Sequence, residues 1–279
     1  MDTAAVMTDA EALSLFSMYM RLTGVPTLEC AVNGYDPALA GKKLGVVNGG
    51  SWITLWSTFF GRRLLPGVQL VNVGNEAVQL NFMAAHRRGE PCPPQVNIDT
   101  TVRYAEDLVA LHAVDAVLLT CSTMNRAAAA VRQTMDAHGV PVVQIDEAMM
   151  EQAVERGGRV LVVATHGPTV SSTQALLAET AERLGRELSF AGATVEEAFE
   201  LLGEGRIEEH NEIIASAIRT ACAQQQITTV VLAQLSMTVF SLSHPDSKRE
   251  FGAPVLTSGE TGFARAAQVL RAAPGGGGR

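Results

Sequence analysis

Seven short, uninterrupted apolar runs constrain this chain more than any other feature. They are KLGVVN (43–48), VQLVNV (68–73), DAVLLT (115–120), VPVVQI (140–145), RVLVVAT (159–165), ELSFAG (187–192) and TTVVLAQ (228–234). A strand with one wet face alternates apolar and polar residues, whereas a continuous run marks a strand covered on both faces, as in a parallel sheet. Parallel neighbours need long crossovers. Ala-rich amphipathic segments stand where those crossovers belong, at 125–139, 172–185 and 206–225. The first is expected to start with Asn125 as its N-cap and to stop at Gly139. The pattern predicts an α/β fold with crossover helices.

An internal echo refines this. LGVVNGGSWITL (44–55) parallels VLVVATHGPTVSS (160–172), and DAVLLTCSTM (115–124) parallels TTVVLAQLSM (228–237). The second pair lies 113 residues apart, so Cys121 falls on Gln234, Thr123 on Ser236 and Met124 on Met237. Chance similarity between apolar strands competes with duplication, but the shared order and spacing predict two pseudo-symmetric lobes. Each would be a short, mainly parallel sheet flanked by helices, with the active site between them. The expected division is a helical extension over 1–42, a first lobe of 43–146 with 253–272, a second lobe of 147–252, and a disordered tail over 273–279. The apolar stripe of a helix near 11–24 would pack on the body or on a second subunit.

Composition excludes several partners. The formal charge is −8 and the isoelectric point near 5.3, whereas phosphate binding needs a basic face. No nucleic acid partner is expected. The apolar runs are far shorter than the roughly 20 residues of a membrane span, so no membrane partner is expected either. The first residues carry acids where a secretory leader carries positive charge, which points to a cytoplasmic protein. The cysteines Cys30, Cys92, Cys121 and Cys222 have neither C-x-x-C nor zinc spacing. Free thiols and no metal are expected, and no Walker or G-x-G-x-x-G motif suggests a nucleotide.

Ligands of open α/β sheets bind beyond the carboxyl ends of the strands. That selects four loops, at 48–51, 121–125, 165–172 and 234–238. Cys121 ends a strand just before a helix N-terminus, which would lower the thiol pKa; the competing reading is an inert buried thiol. His166 is the one histidine at an expected strand end and the best-placed general acid or base. The loop 165–173 is dense in hydroxyls and reads as an anion cradle, although ordinary N-capping would need only one of them. The residues expected to hold substrate are Asn48, Gly49, Ser51, Ser122, Thr123, Asn125, Thr165, Thr169, Ser171 and Ser236. Glu260 reads as structural.

LGVVNGGS (44–51), TCSTMN (120–125), VATHGPTVSS (163–172), VLAQLSM (231–237) and PVLTSGE (254–260) together resemble the aspartate/glutamate racemase superfamily, which includes hydantoin racemases, maleate isomerases and arylmalonate decarboxylases. The resemblance spans about residues 43 to 272. It implies cofactor-independent chemistry on a small carboxylate or cyclic amide, with one cysteine from each lobe flanking the α-carbon. Cys121 matches the first cysteine, and Asn48 falls where glutamate racemases have an aspartate. Gln234 stands where the second cysteine should be, and an amide does not titrate near neutral pH. His166, Ser236 or Thr238 would then serve the other face. Alternatively one thiol suffices, as in a decarboxylase, or Cys121 is a nucleophile and Gln234 binds a carbonyl. A silent carboxylate-binding protein is the reading from another class. A homo-oligomer is a further expectation.

Overall fold

The computed structural model describes residues 8–23 and 36–273; Cys30 and the expected disordered tail from 274 lie outside the described residues. After helix α1 (Asp9–Thr23), the chain runs through β1 (Lys43–Asn48), α2 (Thr54–Leu64), β2 (Gln69–Gly74), α3 (Glu76–Arg87), α4 (Gln95–His112), β3 (Ala116–Leu119), α5 (Ala128–Asp136) and β4 (Val142–Gln144). It continues through α6 (Glu147–Arg156), β5 (Arg159–Ala164), α7 (Gly167–Arg183), β6 (Ser189–Thr194), α8 (Glu196–Gly203), α9 (Ile207–Gln224) and β7 (Thr229–Leu232). Short helices α10 (Phe240–Ser243) and α11 (Ser247–Phe251) precede β8 (Val255–Thr257) and α12 (Ser258–Ala272).

The strands form two four-stranded sheets, ordered β2-β1-β3-β4 and β6-β5-β7-β8. All six pairings are parallel. The sheets repeat one topology, so β1 corresponds to β5 and β3 to β7, as the echo predicts. Burial explains the apolar runs: β3 and β7 are buried along their whole length, and β1 and β5 at all but the first residue.

The two lobes exchange contacts symmetrically. The 3-10 turn Ser122–Ala127 after β3 packs on α7 of the second lobe, and its counterpart Leu235–Val239 after β7 packs on α2 of the first. Leu235 is buried in the first-lobe core beside Phe60 and Phe263, with Val239 packed against it. Helices α6 and α12, which follow corresponding strands, also pack together.

Three expectations need correction. The segment 253–272 does not stay with one lobe: β8 extends the second sheet beside β7, and only α12 returns to pack on α2, β3 and β4. The reason is register, since Val255, Leu256 and Thr257 pair in phase with Val230, Val231 and Leu232. Asn125 is not an N-cap. It lies inside the 3-10 turn, and α5 begins at Ala128 with Ala127 at the cap position. Likewise α7 starts at Gly167 rather than near 172, with His166 at its cap position. Helix α1 lies against α2 yet buries none of its residues.

Gly262 marks where α12 closes against the first lobe. A Cβ there would sit 2.6 Å from the Ile145 carbonyl oxygen and 3.0 Å from its Cα. Backbone atoms cannot swing aside, so Gly262→Ala should destabilise the protein by about 1–3 kcal/mol, the usual cost of overpacking. Thermal or urea unfolding of the variant checks this; an unchanged midpoint would show that α12 has slack.

Candidate active site

In each sheet the chain leaves the first strand for a neighbour on one side and returns as the third strand on the other. A crevice opens where the order reverses, beyond the carboxyl ends of those strands. Asn48 and Cys121 mark it in the first lobe, Thr165 and Gln234 in the second. The lobes bring the two crevices into one cavity of about 50 Å³. Gly49, Cys121, Ser122 and Thr123 line it from the first lobe; His166, Thr169, Gln234 and Ser236 line it from the second.

Cys121 follows β3 and takes extended backbone. Its neighbour across the crevice is Gly49, where a Cβ would lie 2.6 Å from the Cys121 sulfur. Only glycine leaves room for the thiol. The expectation of a lowered thiol pKa is reversed: burial pushes Cys121 up to about 11, the amides of Met124 and Thr123 pull it partly back, and the Asp146 carboxylate adds to the rise. The following turn is a six-residue 3-10 segment, so little macrodipole opposes the loss of water around the sulfur. At neutral pH the group is a thiol.

His166 faces the cavity from the start of α7. Burial lowers its pKa, with the Thr165 backbone and Glu196 opposing. Its ring meets the Phe199 edge at 4.3 Å between centroids. At neutral pH it is an uncharged imidazole able to accept a proton.

Gln234 has a fixed orientation. Its Oε1 accepts from the Thr165 backbone N–H at 2.6 Å and from the Thr165 hydroxyl at 3.0 Å. A backbone N–H can only donate, so the oxygen must face Thr165, and the Nε2 amide is left as the donor end. Thr165 is thereby a positioning partner and does not itself line the cavity. The Thr169 hydroxyl is buried, lines the cavity and makes no hydrogen bond within the protein.

Other expected residues lie elsewhere. Asn48 is buried and its amide is saturated internally: Oδ1 accepts from Ser57 at 2.5 Å and Thr120 at 2.9 Å, and Nδ2 donates to Asn72 and Val73. It ties β1 to β2 and β3 instead of reaching the cavity. Ser51 is exposed and hydrogen-bonds Glu76. Asn125 and Ser171 do not line the cavity, and Ser171 is exposed.

One acid was missed. Asp146 is buried at the start of α6, with one carboxylate oxygen lacking any hydrogen-bond partner in the protein. Burial raises its pKa to about 7, the Ser122 hydroxyl opposes, and Glu147 adds to the rise. The available signal was an acid placed directly after the buried run VPVVQI. Among the described residues no group of three or more His, Cys, Asp or Glu could hold a metal ion, and no helix is long and apolar enough to cross a membrane.

A family model described as Asp/Glu/Hydantoin racemase matches residues 92–266. No curated protein sequence matches the chain. Among solved structures, the chain is similar to a glutamate racemase isoform from Bacillus anthracis, at 17% identity and a TM-score of 0.60 over 83% of this chain and 82% of that one. It is similar to allantoin racemase from Klebsiella pneumoniae, at 17% identity and a TM-score of 0.57 over 82% and 88%. Glutamate racemase from Thermus thermophilus gives 18% identity and a TM-score of 0.57 over 85% and 82%. These likenesses establish the shared two-lobed α/β fold.

Two measurements test the electrostatics. Iodoacetamide alkylation of Cys121, followed by mass spectrometry, should rise about tenfold per pH unit from pH 6 to 10 without levelling, because the thiolate is the reactive form. A plateau below pH 9 would contradict the raised pKa. For Asp146 the folded pKa exceeds the unfolded one, so folded-state stability falls as pH climbs from about 4 through about 7. Asp146→Asn should therefore gain melting temperature over the parent at pH 8 and much less at pH 5. An equal gap at both pH values would remove the buried charge as its cause.

Proposed function

Because the chain belongs to the Asp/Glu/Hydantoin racemase family, we propose that it is a cofactor-independent isomerase of racemase or epimerase type, moving a proton at the α-carbon of a small carboxylate or cyclic amide. The observation that carries this reading is that Cys121 and His166, one from each lobe, line a single cavity in complementary states. The thiol has a proton to give and the imidazole can take one. Proton transfer at a stereocentre needs an acid and a base on opposite faces, and the lobes supply one each.

In the forward direction His166 removes the α-proton and becomes imidazolium. Cys121 delivers its proton to the other face and becomes thiolate, which the amides of Met124 and Thr123 favour. Charge that builds on the substrate carbonyl is met by the Gln234 Nε2 donor and the Thr169 hydroxyl, so the amide that replaces a second cysteine serves as an electrostatic aid. Exchange with water restores both groups.

The protonated thiol also favours one alternative over another. A decarboxylase needs only a proton donor on one face of a carbanion, which Cys121 meets as a thiol. A thiol-nucleophile hydrolase needs the thiolate, which burial disfavours. A silent carboxylate-binding protein would need neither group. The acidic composition supports the expectation of a cytoplasmic setting with a small molecule as partner.

Solvent-deuterium exchange discriminates these readings. Deuterium should enter the α-carbon of recovered substrate as optical rotation decays. His166→Gln and Cys121→Ser should each slow exchange by about 10²–10⁴-fold, the usual contribution of a positioned acid or base. The pH profile of kcat/KM should rise through a pKa below 6.5, as His166 loses its proton, and stay level to about pH 10. Carbon dioxide release without exchange into substrate would replace this reading with the decarboxylase.

A further inference from the structure

Resting on the isomerase reading, we infer that the substrate bears an apolar, aryl-sized substituent, and that a second cavity beside the catalytic one is built to hold it. The catalytic cavity is about 50 Å³. Benzene fits a cavity of roughly 150 Å³, so the space around Cys121 takes the reacting centre and no ring. A second cavity of about 550 Å³ adjoins it. The two share the Trp52 side chain as a wall, and Phe199, which lines the second, packs its ring on His166 of the first.

The lining states the ligand's chemistry. Aromatic residues make up only 5% of the chain, yet both of its tryptophans, Trp52 and Trp56, gather in this wall with Tyr19 and Phe199. Leu55 and Leu202 complete the apolar surface, and among the described residues none that lines it is charged. The wall is also held in place. The Trp52 indole donates to Gln79 at 2.6 Å, meets Trp56 edge-on at 5.2 Å and lies 6.1 Å from Phe199. Aromatic faces set edge-on in this way suit an inserted ring. A substrate whose substituent were charged, as in a dicarboxylic amino acid, would find no partner here.

Both tryptophans report on this cavity, so their fluorescence tests the inference without catalysis. Phenylacetate should change the emission saturably, while acetate, with the same headgroup and no ring, should not. Gly203 lines the cavity, and a Cβ added there meets no atom within 4 Å, so Gly203→Phe fills space without disturbing packing. It should weaken phenylacetate binding tenfold or more at an unchanged melting temperature. Leu55→Glu, at a partly exposed position, should do the same by charge. Emission unmoved by phenylacetate, or two folded variants that bind it as tightly as the parent, would overturn the inference. Deuterium exchange at the α-carbon of phenylalanine, run in parallel, separates the two ideas. Binding without exchange counts against the isomerase reading and leaves the aryl cavity standing; exchange with alanine but not with aryl substrates counts against the cavity alone.

Discussion

The site depends on one constraint: β1 lies between β2 and β3, and β5 lies between β6 and β7. A strand flanked on one side by its successor and on the other by a later strand forces the connecting chains apart at its carboxyl end. The central strands β1, β3, β5 and β7 are buried on both faces, so their polar residues gather at such ends. Cys121 meets Gly49 there because β1 and β3 are hydrogen-bonded neighbours in register. Thr165 meets Gln234 there because β5 and β7 are. The lobes then bury these ends against each other through the turns Ser122–Ala127 and Leu235–Val239.

That burial sets the chemistry. Removing water from a thiol and an imidazole favours the uncharged form of each, so one arrangement yields a proton donor and a proton acceptor without any ion pair. The same desolvation leaves Asp146 close to half-protonated at neutral pH. Its negative charge, when present, works against the Cys121 thiolate. The helix-terminus argument for a low thiol pKa fails because it sets a partial charge at the end of a short turn against desolvation between the two lobes, and the second effect is larger.

Much of the fold was legible because burial on both faces writes itself into a strand as an unbroken apolar run. Strand β1 occupies the run at 43–48, β5 all but the last residue of 159–165, and the echo between β3 and β7 reports the repeated topology. Cys121, His166 and Gln234 were legible because strand ends can be located from those runs. Side-chain direction was not. Asn48 ends a strand as expected, but β2, the end of β3 and α2 offer it partners, and it spends its amide on them. Ser51 sits one helical turn too far along and faces outward. The helical signal of α1 was readable too, yet no periodicity could say that Tyr19 and Trp56 line one cavity. Such proximities arise from how whole helices are laid across a sheet, and local sequence does not encode them.

Pseudo-symmetry clarifies what the replacement of a cysteine by Gln234 means. Cys121 is crowded by Gly49 and faces two backbone amides; the corresponding position in the second lobe is instead pinned by Thr165, whose backbone N–H and hydroxyl both point at one oxygen. A cysteine there would leave those donors with a weaker acceptor, while glutamine satisfies them and turns its own N–H donors outward. In the proposed mechanism the acid–base role falls two residues past the end of β5, on His166 at the cap position of α7. On that proposal the second lobe divides two duties, binding and proton transfer, between adjacent loops that a thiol would have combined in one side chain. A site divided in this way has distinct faces, with Phe199 against His166 and Trp52 next to Phe199. An asymmetric pocket of that kind fits a substrate whose two ends differ, one polar and one aromatic.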